Sequence, residues 1–358
     1  MAPKNRNLFP LFAVLIAAGL IAGLGGIFLL ISDRLDGGAR VVYGRDEPGR
    51  ESEQTSATEI LGSHTATVLS VATGVTSPIV ASGSYDNTVK LWNRNDPEAV
   101  RSLLHNGRVN DLVFTTDGQR LITVSGSGDV NLWTMPAGEL KATLSGNSGR
   151  IMSTALSLDN TVLAIGSGDG AVKTWTLAED QFTAPVTLKA IGPQINAIAF
   201  HPIDPNLLLS GDQEGAIRVW DLAQKKNILT LEDSADRIVS LSVNNNGYVA
   251  SGSYDAIIRI WNIESGKLTQ TLKDHDFVVA DVAFSPDGKL LASASYDESI
   301  KIWDWQKSKV LCTLNGHSGF VYAVSFGDAG DTLISGGYDG TVRTWDLAAA
   351  AGGDCMAY

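Results

Sequence analysis

The chain has 358 residues, 44% of them apolar, and its 37 glycines fit short extended segments better than long helices. Its formal charge is −12. Residues 1–56 balance at six basic and six acidic side chains, which leaves 21 basic against 33 acidic ones downstream. A body this acidic repels phosphate backbones, which argues against general nucleic-acid binding. Two cysteines, Cys312 and Cys355, are too few for a disulfide framework. A single bridge between them and two separate thiols both remain open. Neither lies in a C-x-x-C pair, so no zinc or redox site is indicated.

A polar tail of residues 1–8 precedes FPLFAVLIAAGLIAGLGGIFLLI, residues 9–31, which carries no charge. At 1.5 Å per residue a helix of that length crosses a hydrocarbon core of about 30 Å. No cleavage site follows it, so a retained transmembrane helix is expected rather than a signal peptide. Lys4 and Arg6 flank the short side without any acid, and Arg34, Arg40 and Arg45 the other. The reading adopted puts the N-terminus inside and the rest on the extracytoplasmic side. Gly19 and Gly23 form a G-x-x-x-G pair that permits a weak helix-mediated dimer, although the whole segment is glycine-rich. Residues 32–56 are polar and aperiodic, and read as a flexible linker.

From residue 57 to 348 the chain repeats. Trp92, Trp133, Trp175, Trp220, Trp261, Trp303 and Trp345 recur at intervals of 41, 42, 45, 41, 42 and 42 residues, each closing a segment such as VKLWN or IKIWD. Trp305 alone falls outside the register. In the sixth repeat VVADVAF (278–284), LLASAS (290–295), SIKIW (299–303) and KVLCTL (309–314) read as four strands, with Ser285-Pro286-Asp287-Gly288 as a turn. Four strands every ~42 residues predict a propeller blade. No fourth strand follows Trp345, and residues 349–358 form a tail. Thr58-Glu59-Ile60-Leu61 stands spare ahead of the first blade and is expected to close the ring on the seventh.

These residues resemble the WD40 family. The resemblance implies an all-β fold, a seven-bladed WD40 β-propeller preceded by one N-terminal transmembrane helix. It also implies hydrogen-bonded networks inside blades: His64, Ser82, Asp86 and Trp92; His275, Ser293, Asp297 and Trp303; His317, Ser335, Asp339 and Trp345. Other repeats are degraded. The second has His105, Thr123 and Trp133 with Ser127 for the acid. The third has Asn147, Ile165 and Asp169, and the fourth Ile191, Ser210 and Glu214. The fifth has Ser251, Asp255 and Trp261, with Ser234 replacing His.

His, Ser and Asp together invite a catalytic reading, but the trio recurs three times in register with a tryptophan, as a single triad does not. Asp274-His275-Asp276 resembles a metal cluster, yet His275 is claimed by a blade network. G-S-G-D-G (166–170) matches a calcium turn only loosely. No enzyme activity, cofactor or metal is expected. In the WD40 family partners often contact the face bearing the turn before the third strand. Carried onto this chain, that face holds Tyr85, Tyr254, Tyr296 and Tyr338, joined by Phe320 and Tyr322, with Arg108, Arg150 and Arg237 at the start of first strands. The expectation is a membrane-tethered scaffold that binds a partner protein through this face. The rivals are a propeller binding or hydrolysing a small molecule in its central channel, and an anion- or phosphate-reading module built on the three arginines.

Overall fold

The computed structural model describes residues 58–74, 77–145, 149–178, 180–188 and 194–348. The expected N-terminal tail, transmembrane span, linker and C-terminal tail lie outside these, as do Cys355, Asn147 and Ile191. Among the described residues no helix is long and apolar enough to cross a membrane.

Each repeat folds into an antiparallel sheet, giving seven among the described residues, and the second strands are buried on both faces because each sheet packs between two others. The innermost strands are Val68–Thr73, Val109–Phe114, Ile151–Leu156, Ile195–Phe200, Ile238–Val243, Val279–Phe284 and Val321–Phe326. Each touches the innermost strand of the next blade, and that of blade seven touches that of blade one, so the ring is closed. Blade three departs from four regular strands. Its outer edge is split into Gln181–Phe182 and Val186–Leu188, both paired with Val172–Ala178. The 45-residue interval between Trp175 and Trp220 is the sequence trace of that irregularity.

The seam is made by the N-terminal strand. Thr58–Ser63 runs antiparallel to Thr341–Asp346, with Thr58 opposite Trp345 and Ser63 opposite Thr341. A bulge between Ile60 and Gly62 admits one extra residue. Gly62 lies against Trp92, whose ring would stand 2.1 Å from any added Cβ. Blades pack as closely. Gly336 in the second strand of blade seven faces Val68 of blade one, and a Cβ there would meet Val68 at 2.4 Å. The core is therefore a set of layers between blades, each capped by a tryptophan of one repeat. Trp305, outside the register, is buried beside Tyr248 and Phe284, and its Nε1 donates to the Gly288 carbonyl at 3.0 Å.

Candidate functional site: one rim of the propeller

The blade networks come first, because they decide whether the His-Ser-Asp sets are chemistry or frame. In blade six Trp303 Nε1 donates to Ser293 Oγ at 2.8 Å, Ser293 Oγ stands 2.7 Å from His275 Nε2, and His275 Nδ1 lies 2.6 Å from Asp297. Blades one and seven repeat this through Trp92, Ser82, His64 and Asp86, and through Trp345, Ser335, His317 and Asp339. The consistent proton order is indole to serine, serine to imidazole, imidazole to carboxylate. Every serine in these sets is fully buried and already accepts an indole proton. A nucleophile needs access to its substrate, and these hydroxyls have none. Burial pulls Asp86 and Asp297 upward, but hydrogen bonds from Thr88 and His64, and from His275 and Ser299, outweigh it and hold both at about 2. Burial lowers the His64 pKa, against the opposing pull of Asp86.

The degraded blades use other solutions. Blade two keeps His105 on Thr123 and Trp133 on Thr123 at 2.7 and 3.0 Å, while His105 Nδ1 turns to the Leu103 carbonyl. In blade four Trp220 still donates to Ser210, but the acid is Asp212, paired with Arg218, rather than Glu214. Blade five corrects the sequence reading most. Asp255 pairs with Arg259 at 2.8 Å, Ser234 bonds Ser253 and the Asp236 carbonyl, and the buried Ser251 hydroxyl has no protein partner.

Two carboxylates that sequence reasoning missed stitch neighbouring blades. Asp111, third residue of its inner strand, accepts from Ser70 Oγ in blade one and from Ser153 Oγ and Thr154 N in blade three. Asp281, at the same place in blade six, accepts from Ser240 Oγ in blade five and Val324 N in blade seven. Burial raises both, and pushes Asp281 up to about 6 with the Asp111 charge adding to it.

The rim that carries the predicted surface residues is built by a repeated backbone bond. The turn residue after each second strand donates its N–H to the residue leading into the first strand of the same blade. The pairs are Tyr85 to Thr67, Gly126 to Arg108, Gly168 to Arg150, Gln213 to Gln194, Tyr254 to Arg237, Tyr296 to Val278 and Tyr338 to Phe320, at 2.8–3.2 Å. Tyrosines at this position therefore converge on one face. Tyr254 meets Tyr296 edge-on at 6.3 Å, and Tyr296 stacks on Phe320 at 4.6 Å. Tyr322 lies 5.1 Å from Tyr296, and Tyr338 6.0 Å from Phe320. The arc spans blades five, six and seven.

The three arginines do not form one cluster: Arg237 sits with the blade-five tyrosine, apart from Arg108 and Arg150. Arg237 lies over Tyr254 at 4.2 Å, and Arg108 lies over Tyr85 at 4.7 Å, donating from Nη1 to the Tyr85 hydroxyl. The rings differ in exposure. Tyr296 is half-buried in the stack, and burial raises its hydroxyl pKa, whereas Tyr338 is 61% exposed. Phe277, which no periodicity singled out, is equally exposed in the loop leading into blade six. Its signal was its place two residues after the network histidine His275. Two cavities, of about 170 and 460 Å³, lie on the opposite face, by Pro205 and Leu222 and by Pro78 and Arg94.

A closed seven-sheet ring with indole-serine-imidazole networks and a paired rim defines a WD-repeat β-propeller. The family described as "IFT122 first beta-propeller" matches residues 50–281, more than half of the sequence, and the chain belongs to it. The "WD domain, G-beta repeat" family matches 266–304 and 308–346. Each of those matches begins on the outer strand of one blade and ends on the tryptophan strand of the next. Periodic tryptophan protein 2 of Arabidopsis thaliana is 32% identical over 100 residues, 26% of this chain. DDB1- and CUL4-associated factor 13 of Dictyostelium discoideum is 40% identical over 55 residues, 15% of this chain. The chain spans only 11% and 12% of the length of these relatives. WD40 propellers are typically protein-interaction scaffolds and generally non-catalytic.

Proposed function

We propose that this chain is a membrane-tethered scaffold whose propeller captures a partner protein on the aromatic arc of its rim, in support of a membrane-associated assembly. The observation that carries the reading is the contact chain Tyr254–Tyr296–Phe320–Tyr338, with Tyr338 and Phe277 exposed beside it. Aromatic side chains offer large, rigid contact area and are enriched among binding hot spots. The half-buried rings brace the exposed Tyr338, so little side-chain entropy remains to be lost on docking. The tether rests on the uncharged residues 9–31 and the polar residues 32–56; the propeller is placed on the extracytoplasmic side.

A photo-crosslinking residue at Tyr338 identifies the partner. Tyr338→Ala with Phe277→Ala then weakens its capture by about 2 kcal/mol, close to 30-fold, with the melting temperature unchanged. Undiminished capture by a folded double variant removes the aromatic reading. The tether is tested by membrane fractionation of the full chain: recovery in the soluble fraction without detergent refutes it. Protease added outside intact cells reaches the linker if the propeller is extracytoplasmic, and protection until lysis reverses the orientation.

A further inference from the structure

Tyrosine holds the turn position in blades one, five, six and seven, but glycine holds it in blades two and three. In blade two the arginine occupies the space instead. A Cβ on Gly126 would sit 3.1 Å from Arg108 Cγ and 3.4 Å from its Nε, so the glycine is what lets Arg108 lie across the turn toward Tyr85. On the next blade Arg150 Nε donates to Met152 Sδ at 3.2 Å.

Both guanidinium groups are half-buried, and neither pairs with a carboxylate among the described residues. Acids outnumber bases in this chain, and Arg120, Arg218, Arg237 and Arg259 each pair with an aspartate. Desolvation first, and then the neighbouring Arg108 charge, lower the Arg150 pKa. Two like charges at equivalent places on neighbouring blades, partly out of water, are stabilised by an anion between them.

We propose that Arg108 and Arg150 form a clamp for the carboxylates of an acidic polypeptide segment. On the reading above, that segment lies across the rim with its apolar side chains on the aromatic arc. A guanidinium presents a planar fork that matches a carboxylate in two parallel hydrogen bonds. Tyr85 fixes one guanidinium, since its oxygen accepts from Arg108. Charge complementarity decides between polypeptides: carboxylates neutralise the two guanidinium groups, and a neutral or basic segment does not.

The test is calorimetric titration of the full chain with acetyl-Phe-Gly-Glu-Glu-amide, its Gln-Gln analogue and its phosphoserine analogue. The expected result is a preference of about tenfold or more for Glu over Gln, weakened by salt and abolished by Arg108→Gln with Arg150→Gln. Tyr338→Ala weakens both peptides equally. Equal affinity for Glu and Gln peptides that still falls with Tyr338→Ala overturns the clamp and leaves the aromatic reading standing. No binding of any peptide at millimolar concentration, or a stronger preference for phosphoserine, also overturns it. A second readout needs no peptide. Arg150→Gln relieves repulsion and leaves the melting temperature equal or higher. A fall would make Arg150 a structural residue and refute the proposal.

Discussion

Three buried serines at one place in the fold differ only in their hydrogen bonds, and they form a graded experiment. Ser293, Ser210 and Ser251 all sit fully buried in second strands, ten residues before the blade tryptophan. Ser293 bonds both His275 and Trp303, Ser210 bonds Trp220 alone, and Ser251 bonds nothing. Replacing Ser293 by Ala strands two buried ring nitrogens, and each unpaired polar group costs about 1–3 kcal/mol, so the sum is about 2–6 kcal/mol. Ser210→Ala strands one, at about 1–3 kcal/mol. Ser251→Ala removes a buried hydroxyl that had no partner and is neutral or slightly stabilising. Thermal melting followed by tryptophan fluorescence reads the order directly, at roughly 2 °C per kcal/mol for a domain of this size. If Ser251→Ala proves as damaging as Ser293→Ala, the networks are not what holds these blades, and packing volume alone explains the position.

A chain beginning at Gly62 leaves Thr341–Asp346 as a bare edge and loses several kcal/mol or aggregates, while one beginning at Thr55 melts as the parent does. Gly336→Val drives a side chain into Val68 of the neighbouring blade and lowers stability by about 1–3 kcal/mol in urea titration. Asp281, raised to about 6, retains a proton in the folded state that the unfolded chain has released above about pH 4. Its contribution therefore falls as pH rises through that window, and Asp281→Asn flattens stability measured between pH 4 and 7. Asp86 and Asp297 act in the opposite sense: their contribution is full above about pH 4 and is lost as pH falls through about 2. Acid titration of Asp297→Asn, which has no such group in blade six, shows a shallower loss.

The tryptophan register was legible because each indole marks a third strand, and a strand pattern repeats locally whatever its neighbours do. Closure was legible for the same reason: one strand was spare before Val68 and one was missing after Trp345. What escaped depends on groups that meet across blades. Asp111 and Asp281 look like exposed acids in alternating strands, and only the ring brings Ser70, Thr154, Ser240 and Val324 to them from about 40 residues away. Asp212 was overlooked because Glu214 stood in the expected place, although the shorter acid two residues earlier, at the end of the second strand, reaches Arg218. The tyrosines were found by position, but their unequal exposure was not. Tyr296 is half-buried because Phe320 and Tyr322 of the next blade pack on it, while Tyr338 has no comparable cover.

The strand that closes the ring is made first and used last. Thr58–Ser63 leaves the ribosome about 280 residues before its partner Thr341–Asp346, an interval of roughly 15–60 s at ordinary rates of synthesis. Throughout that time it is an unsatisfied edge, while the earlier blades stack one against the next without it. Translation that stops anywhere before Trp345 yields an open arc, with the Val68 face of blade one uncovered at one end and an unfinished blade at the other. Such a product advertises its own incompleteness to chaperones and proteases, so the seam doubles as a proof that the message was read through the seventh blade.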